Sequence, residues 1–454
     1  MDKKRASFSG KLGFILATAG SAVGLGNIWR FPYLAAKYGG GIFLLVYIIL
    51  AITFGYTMMT SEMTIGRMTR KSPVGSFGAF GSSFFHKFGG WINAVIPMLI
   101  GGYYAVIGGW VFRYFVGYLT GKSQYLAEET TFTEFLGDPK LTIACFLVYL
   151  LLVCIVVFIG VESGVEATSK VMMPVLVIIA VVIAGFVMTR PGAFEGVKYI
   201  FVPDVSKFSV MTFVSAMGQM FYSLSIAMGI LYTYGSYMKR EIDMEKSIKQ
   251  VSIFDTAIAI LAACMIIPAV FAYSGADATA NLKAGPSLMF ITIPKVFANM
   301  PFGSIVGFFF FLLVLLAALT SSISLMVTSV SSLCDEIHKS HRVCTVLITL
   351  LYLVMGILSA LGFNVLDFIS LAGMSILDMF DFLTNSLMMP IAAFCTCILV
   401  TKYVGIDKIE EEVKVSSKFG RKGMFVIVVK YIAPIFCIII LISAILNQFG
   451  IVTM

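Results

Sequence analysis

The chain has 454 residues, 59% hydrophobic and only 12% charged, with a mean hydropathy of +0.97, which is too apolar for a domain dissolved in water. Its solvent is lipid, and because a bilayer core offers backbone N–H and C=O groups no partners, only helices or closed barrels can span it. The net charge of +8 calls for no nucleic acid, since Lys and Arg concentrate at one set of helix ends.

Long apolar runs such as Leu141 to Ile159 and Phe425 to Leu446 lack the alternation of a barrel strand, so helices are predicted. At roughly 20 residues per crossing, the spans fall at 12–36, 41–68, 88–119, 141–159, 166–188, 209–237, 250–274, 303–334, 343–361, 373–401 and 424–448, eleven in all. The short basic segment Met1 to Gly10 lacks a cleavage site and does not read as a removed signal peptide. With that segment inside, most of the 32 Lys and Arg are cytoplasmic, while the outer loops hold only Lys37, Lys122, Lys140, Arg190, Lys198, Lys207, Lys283 and Lys295. This predicts a multi-pass plasma-membrane protein with a cytoplasmic N-terminus and no obligatory protein partner. The eight cysteines lie in apolar helices or at cytoplasmic helix ends, which leaves no outer pair for a disulfide. His86, His338 and His341 are expected in cytoplasmic loops.

Two spans are interrupted at their middles. The first carries Gly20-Ser-Ala-Val-Gly-Leu-Gly-Asn27 and the sixth Gly218-Gln-Met-Phe-Tyr-Ser-Leu-Ser-Ile-Ala-Met-Gly229. Each glycine disfavours helix by about 1 kcal/mol, and neighbouring polar groups can satisfy the freed backbone, so local unwinding is expected. Close helix packing is the other reading of the first stretch alone, because Gly20 and Gly24 are spaced for it. Interruptions five spans apart fit a five-helix unit repeated with inverted topology, its binding site formed between the discontinuous helices. The chain then reads as one transmembrane domain over 1–454, with repeats at 1–188 and 209–401 and a peripheral helix at 424–448. At such breaks, helix N-termini present N–H groups to an anion and freed carbonyls coordinate a cation. An amino acid, carrying carboxylate and ammonium, suits one such stretch.

The first span continues as Gly24-Leu-Gly-Asn-Ile-Trp-Arg-Phe-Pro-Tyr33 and Gly39-Gly-Gly-Ile-Phe43. Further on stand Ser61-Glu-Met-Thr-Ile-Gly-Arg67, Gly218-Gln-Met-Phe-Tyr-Ser-Leu-Ser225, Gly285-Pro-Ser-Leu-Met-Phe290, Ala317-Ala-Leu-Thr-Ser-Ser322 and Asp378-Met-Phe-Asp-Phe-Leu-Thr384. In this order the motifs resemble the neurotransmitter:sodium symporter family along essentially the whole chain. The resemblance implies two sodium sites. The first would use the carbonyl of Ala22, the Asn27 side chain, Ser223, Asp255 and the substrate carboxylate. The second would use the carbonyls of Gly20, Val23 and Ala317 with the hydroxyls of Thr320 and Ser321. All are hard oxygen ligands. For the substrate, the resemblance places the carboxylate at the N–H groups of Leu25 and Gly26 and at the Tyr104 hydroxyl. The ammonium falls at Ala22, Phe221 and Ser225, and the side chain among Ile100, Tyr104, Tyr222, Ser225, Met228, Ser321 and Leu325. No Asp, Glu or Arg is expected there, which points to a neutral amino acid.

By the same resemblance Arg30 and Asp381 form an outer ion pair above a lid of Tyr104 and Tyr222, and Arg5 and Asp335 form an inner latch supported by Ser236 and Tyr237. Arg5 also reads as a simple positive-inside anchor. Phe8 stands where the family usually has Trp, predicting a looser latch, and Ala227 replaces a common glycine. Gly164 and Pro174 have a spacing that resembles the family's unwinding point in the fifth span; both are also ordinary helix punctuation. Asp255 is expected to supply permanently the negative charge that many animal members take from chloride, beside Tyr47, Gln219 and Ser223; its other reading is a cap at the start of the seventh helix. Sodium-driven symport of a neutral hydrophobic amino acid by alternating access is therefore expected. A channel is disfavoured because no charged pore ring is visible. An intramembrane enzyme is disfavoured because no Gly-x-Ser-x-Gly, His-Glu-x-x-His or phosphate-loop motif occurs.

Overall fold

The computed structural model describes residues 6–274, 282 and 287–448, and it is helical almost throughout. Among the described residues extended pairing is limited to two isolated bridges, Gly40 with Pro203 and Leu371 with Met374. Helix α1 is a bent pair, α1a (Lys11–Ala22) and α1b (Gly26–Lys37), at 50° to each other. There follow α2 (Gly41–Thr69), α3 (Phe84–Leu119), α4 (Pro139–Ile159) and α5 (Val161–Met188). The next helix is also in two pieces, α6a (Val210–Ser223) and α6b (Ile230–Tyr237). Beyond it lie α7 (Met244–Tyr273), α8 (Gly303–Ile337), α9 (His341–Leu361), α10 (Ile376–Val404), a short α11 (Ile406–Lys414) and α12 (Lys422–Leu446). Nine continuous helices among the described residues are long and apolar enough to cross a bilayer, or ten with the bent pair. The pieces α6a and α6b have 14 and 8 residues, each short of the roughly 20 that a crossing needs.

Helices that build the centre are distinguished from those facing lipid by how much of their apolar surface is covered. Of the most apolar stretch of α3, 78% is buried, against 39% in α4 and 33% in α12. Leu151, Ile178, Val182, Val354 and Ile435 stand outward on α4, α5, α9 and α12, which in a bilayer costs nothing because lipid tails replace the missing protein contacts. Helix α1a packs against α5, α7 and α8, and this puts both breaks in the interior.

Observed ends depart most from the expected ones at α7, which begins at Met244, before position 250. Its first turn is polar and capped by Asp243, whose Oδ1 accepts from the Lys246 N–H at 2.9 Å, so a search for apolar runs passes over it. His86 is not in a loop: it lies in the first turn of α3, 3% exposed, with Nδ1 2.8 Å from Ser83 Oγ. All eight cysteines are free.

The amphipathic α11 buries Ile409 and Val413 and is tied to α2 by charge. Arg67, fully buried, donates from Nε to Glu412 Oε1 at 2.7 Å, from one terminal nitrogen to Ser416 Oγ at 2.9 Å, and from the other to the Glu412 carbonyl. Removing one partner of a buried pair strands the other charge, at a cost of about 3–5 kcal/mol. Glu412→Ala is therefore expected to lower the melting temperature of the purified protein by several degrees. An unchanged melt would show that Arg67 finds another partner.

Candidate functional site

Helix α1a ends where Val23 turns extended (φ −78°, ψ 104°), and the backbone re-enters helix at Gly26. The freed groups find side chains. Gly24 N–H donates to Asn27 Oδ1 at 3.1 Å, and Leu25 N–H to the Tyr104 hydroxyl at 3.1 Å. In the second break Ser225 and Ala227 both take the left-handed conformation (φ 54° and 60°), which costs an L-residue about 1–2 kcal/mol. Two bonds hold them there: Ala227 N–H to Glu62 Oε1 at 2.9 Å, and Ser225 Oγ to the Ser21 carbonyl at 3.2 Å. Glu62 has no exposure at all and received no role in the sequence reading. A carboxylate in the middle of an apolar span was the available signal.

Between the breaks lies a small cavity lined by Ser21, Ala22, Gly24, Gly26, Ile100, Tyr104, Tyr222, Ser225, Met228, Ile230, Ser321 and Leu325. Nine of the expected substrate residues are among these. Leu25 lines a larger vestibule with Trp29, Arg30 and Asp381, and Phe221 lines a separate cleft. Ser21, Gly24 and Ile230 were missed as lining residues. The structure also separates Gly20 from Gly24, the pair spaced for close helix packing. A Cβ on Gly20 would meet Met173 Sδ at 3.3 Å, a tight contact with a flexible side chain that can give by a few tenths of an ångström, whereas one on Gly24 would stand 2.3 Å from Ser321 Oγ and 3.0 Å from the Tyr104 hydroxyl, inside the cavity.

The first expected cation group is assembled from three helices. Asp255 Oδ1 accepts from Asn27 Nδ2 at 2.7 Å and from Ser223 Oγ at 2.8 Å, and its Oδ2 accepts from the Tyr47 hydroxyl at 3.0 Å. Gln219 Nε2 donates to the Gly26 carbonyl at 2.8 Å. Asp255 is fully buried in the interior of α7, so it does not cap that helix. In the second group Thr320 Oγ1 lies 3.0 Å from the Ala317 carbonyl and 3.5 Å from that of Val23, and Ser321 Oγ lies 3.3 Å from Val23 O. A Cβ built on Gly20 would stand 3.4 Å from Thr320 Cβ. Both groups are carbonyl, hydroxyl, amide and carboxylate oxygens, and among the described residues no cluster of three His, Cys, Asp or Glu occurs. That donor set suits a hard cation such as sodium and not a transition metal.

The outer gate differs from expectation. Arg30 and Asp381 are not within the 4.0 Å of an ion pair. The Arg30 guanidinium lies over the Tyr222 ring, 5.3 Å from its centroid, and Asp381 Oδ1 instead accepts from Tyr103 at 3.0 Å and Asn385 Nδ2 at 2.5 Å. A vestibule lined by Trp29, Arg30, Tyr103, Trp110, Phe363 and Asp381 therefore lies open above the Tyr222 lid. Arg5 lies outside the described residues. Its expected partner Asp335 accepts from the Ser72 N–H at 2.8 Å, and Tyr237 meets Ser331 through their hydroxyls; Ser236 Oγ donates to the Thr233 carbonyl at 2.6 Å. Phe8 is wholly buried, edge-on to Phe14, Tyr234 and Tyr237 at 5.5–5.9 Å. Gly164 sits in the wide π-helical turn Val161–Glu166 that opens α5.

A bent pair, a six-residue break between α6a and α6b, an apolar cavity and two oxygen-lined groups form one interior assembly, and comparison with known proteins finds it again. The model of the sodium:neurotransmitter symporter family matches residues 5–133 and 123–452. An uncharacterised sodium-dependent transporter of Bacillus subtilis is 29% identical over 449 residues, covering 98% of each chain. One from Methanocaldococcus jannaschii is 30% identical over 426 residues, 90% of this chain and 84% of that one. The crystal structure of MhsT in complex with L-phenylalanine superposes with a TM-score of 0.88 at 32% identity, covering 97% of this chain and all of the other. These relatives are transporters and not enzymes, and the chain belongs to the sodium:neurotransmitter symporter family.

Proposed function

We propose that this protein is a chloride-independent symporter that couples two sodium ions to uptake of a neutral hydrophobic amino acid, spanning the plasma membrane eleven times with its N-terminus in the cytoplasm. The observation that carries the substrate reading is the cavity between the breaks: polar backbone at one side, with Leu25 N–H and the Tyr104 hydroxyl 3.1 Å apart, and an apolar wall of Ile100, Met228 and Leu325 at the other. The polar side suits a carboxylate and an ammonium. A charged side chain against the apolar wall would lose its hydration without gaining a partner. The serines at the base already bond to one another and to backbone, Ser21 to Ser225 at 3.2 Å and Ser321 to the Ser21 carbonyl at 3.2 Å, so no polar side chain is needed to satisfy them. The similar protein MhsT is seen in complex with L-phenylalanine.

The residues of the first oxygen group, Ala22, Asn27, Ser223 and Asp255, would hold one sodium, and Gly20, Val23, Ala317, Thr320 and Ser321 the second. A bound cation supplies fixed positive charge next to the carboxylate site, so each ligand strengthens the other, which is the physical origin of coupling. The open outer vestibule and the buried Phe8 cluster inside fit an outward-facing state with its lid in place.

In proteoliposomes, sodium-driven uptake is expected to be competed most strongly by methionine and leucine, with phenylalanine and tyrosine next and glycine weak. Ile100→Ala enlarges the cavity by several methylenes and is expected to improve aromatic substrates relative to methionine roughly tenfold. If glycine, proline or a monoamine outcompetes every hydrophobic amino acid, the side-chain assignment is wrong. Uptake that neither saturates nor needs sodium would remove the symport reading altogether.

A further inference from the structure

Between the end of α5 at Met188 and the start of α6a at Val210 the chain makes a short helix, Ala193–Phe201, and then a strap that runs on to α6a. One face of this helix, Ala193, Gly196 and Ile200, is buried against α7, so closely that a Cβ on Gly196 would stand 2.6 Å from Pro268 Cα. The other face is apolar too. Phe194 (65% exposed) and Phe201 stand uncovered on it, and Val202, Val205 (75% exposed), Phe208 and Val210 continue the uncovered surface along the strap. A helix lying in water turns a polar face outward, so one that is apolar on both faces has another solvent. Helix α5 has 28 residues, a rise of about 42 Å against a hydrocarbon core of about 30 Å, so its ends reach the headgroup layers and the short helix starts there. Cations sit over aromatic rings along the same stretch: Arg190 over Phe186 at 4.4 Å, Lys198 over Phe194 at 5.0 Å and Lys207 over Tyr199 at 5.4 Å from the ring centres. Charged heads beside an apolar body are the pattern of a segment lying at a lipid boundary. The covered side is tied to α1b and the start of α2. The Tyr199 hydroxyl donates to the Ala36 carbonyl at 2.7 Å, Thr212 Oγ1 donates to the Tyr38 carbonyl at 3.4 Å, and Pro203 bridges to Gly40, where a Cβ would overlap the Tyr199 carbonyl.

We propose that residues 193–210 form a lipid-bound anchor lying in the headgroup layer, and that phospholipid, by holding this segment, steadies the end of α1b. The occupant of the apolar face is the phospholipid of the surrounding leaflet, because that face follows directly on the lipid-facing side of α5, where Val182 and Met188 are uncovered. Lys198 and Lys207 pair with Glu195 and Asp204 at 3.0 and 3.5 Å, but ion pairs this exposed are weak, so both cations remain open to lipid phosphates. The anchor belongs to the end of the bundle nearest Arg30 and does not depend on which compartment that end faces.

The test uses full-length protein with Cys154 and Cys334 replaced by serine and a nitroxide on one introduced cysteine, at Val205, in liposomes of phosphatidylethanolamine and phosphatidylglycerol. Collision with oxygen, which concentrates in lipid, is compared with collision with a water-soluble nickel chelate. The same label at Ile178, uncovered on α5, and at Thr130, in an exposed polar loop, gives the lipid and water references. The Val205 label should favour oxygen, at a depth of roughly 5–10 Å into the headgroup and acyl boundary. Phe194→Ser combined with Phe201→Ser should reverse that preference, and a label at Lys37, the last residue of α1b, should then become more mobile. Tyr199→Phe should loosen the Lys37 label while leaving Val205 in lipid. A Val205 label that behaves like Thr130 would put the strap in water and overturn the proposal. So would a label shielded from both reagents, the sign of a second copy or another protein on this face. Unchanged mobility at Lys37 in the folded variants would overturn the link to α1b. The Val205 measurement needs no destabilising substitution, so it decides the lipid contact even if the double variant does not fold.

Discussion

Gly24→Ala is expected to reduce sodium-driven uptake at least roughly a hundredfold while leaving the protein folded. The added methyl would lie 2.3 Å from Ser321 Oγ and 3.0 Å from the Tyr104 hydroxyl, too close to either. The backbone cannot easily retreat, because Gly24 N–H is bonded to Asn27 Oδ1 and Leu25 N–H to Tyr104. Overpacking of this kind costs about 1–3 kcal/mol, and here the cost falls on groups proposed for both the substrate carboxylate and the second sodium. The control is Gly185→Ala on α5, where a Cβ meets nothing within 4 Å and alanine simply favours helix. Uptake is measured alongside a thermal melt. If Gly24→Ala transports normally, the cavity between the breaks is not the transport site.

Asp255→Ser is expected to weaken sodium affinity by roughly tenfold to a hundredfold and to make the remaining activity respond to chloride. The carboxylate accepts from Asn27, Ser223 and Tyr47 with no exposure to water. Its loss strands three buried donors, each worth about 1–3 kcal/mol when unpaired, and removes the negative charge nearest the first oxygen group. A chloride ion in the vacated space would restore both charge and acceptor. Equal uptake by the variant in chloride and gluconate, at unchanged sodium affinity, would show that Asp255 does not stand in for the anion.

Much of the fold was legible in the chain because lipid makes the problem local. Every span must satisfy its own backbone, so apolar runs near 20 residues show where helices lie, and the ends of α2, α4, α8 and α9 fall within a few residues of the expected ones. The two breaks were legible for the same reason, since glycine and small polar residues in mid-span have no use against lipid. The polar first turn of α7 and the amphipathic α11 were not, because neither needs a long apolar run.

The candidate site divides in the same way. Residue types and order in Gly20 to Asn27 and Gly218 to Gly229 by themselves predicted two discontinuous helices, while the oxygen ligands and the apolar pocket, including Ala317 to Ser322 on the continuous α8, were expected through the family resemblance. Only the tertiary structure decided which glycine lines the cavity, that Asp255 lies inside α7, and that Asp381 bonds to Tyr103 and Asn385 while Arg30 rests on Tyr222. It alone joined Arg67 to Glu412 and Ser9 to Glu166, partners 345 and 157 residues apart. Local pattern reports what a residue's solvent will be. A partner that far along the chain is chosen by helix packing, which brings the two side chains together and leaves each buried charge its least costly neighbour.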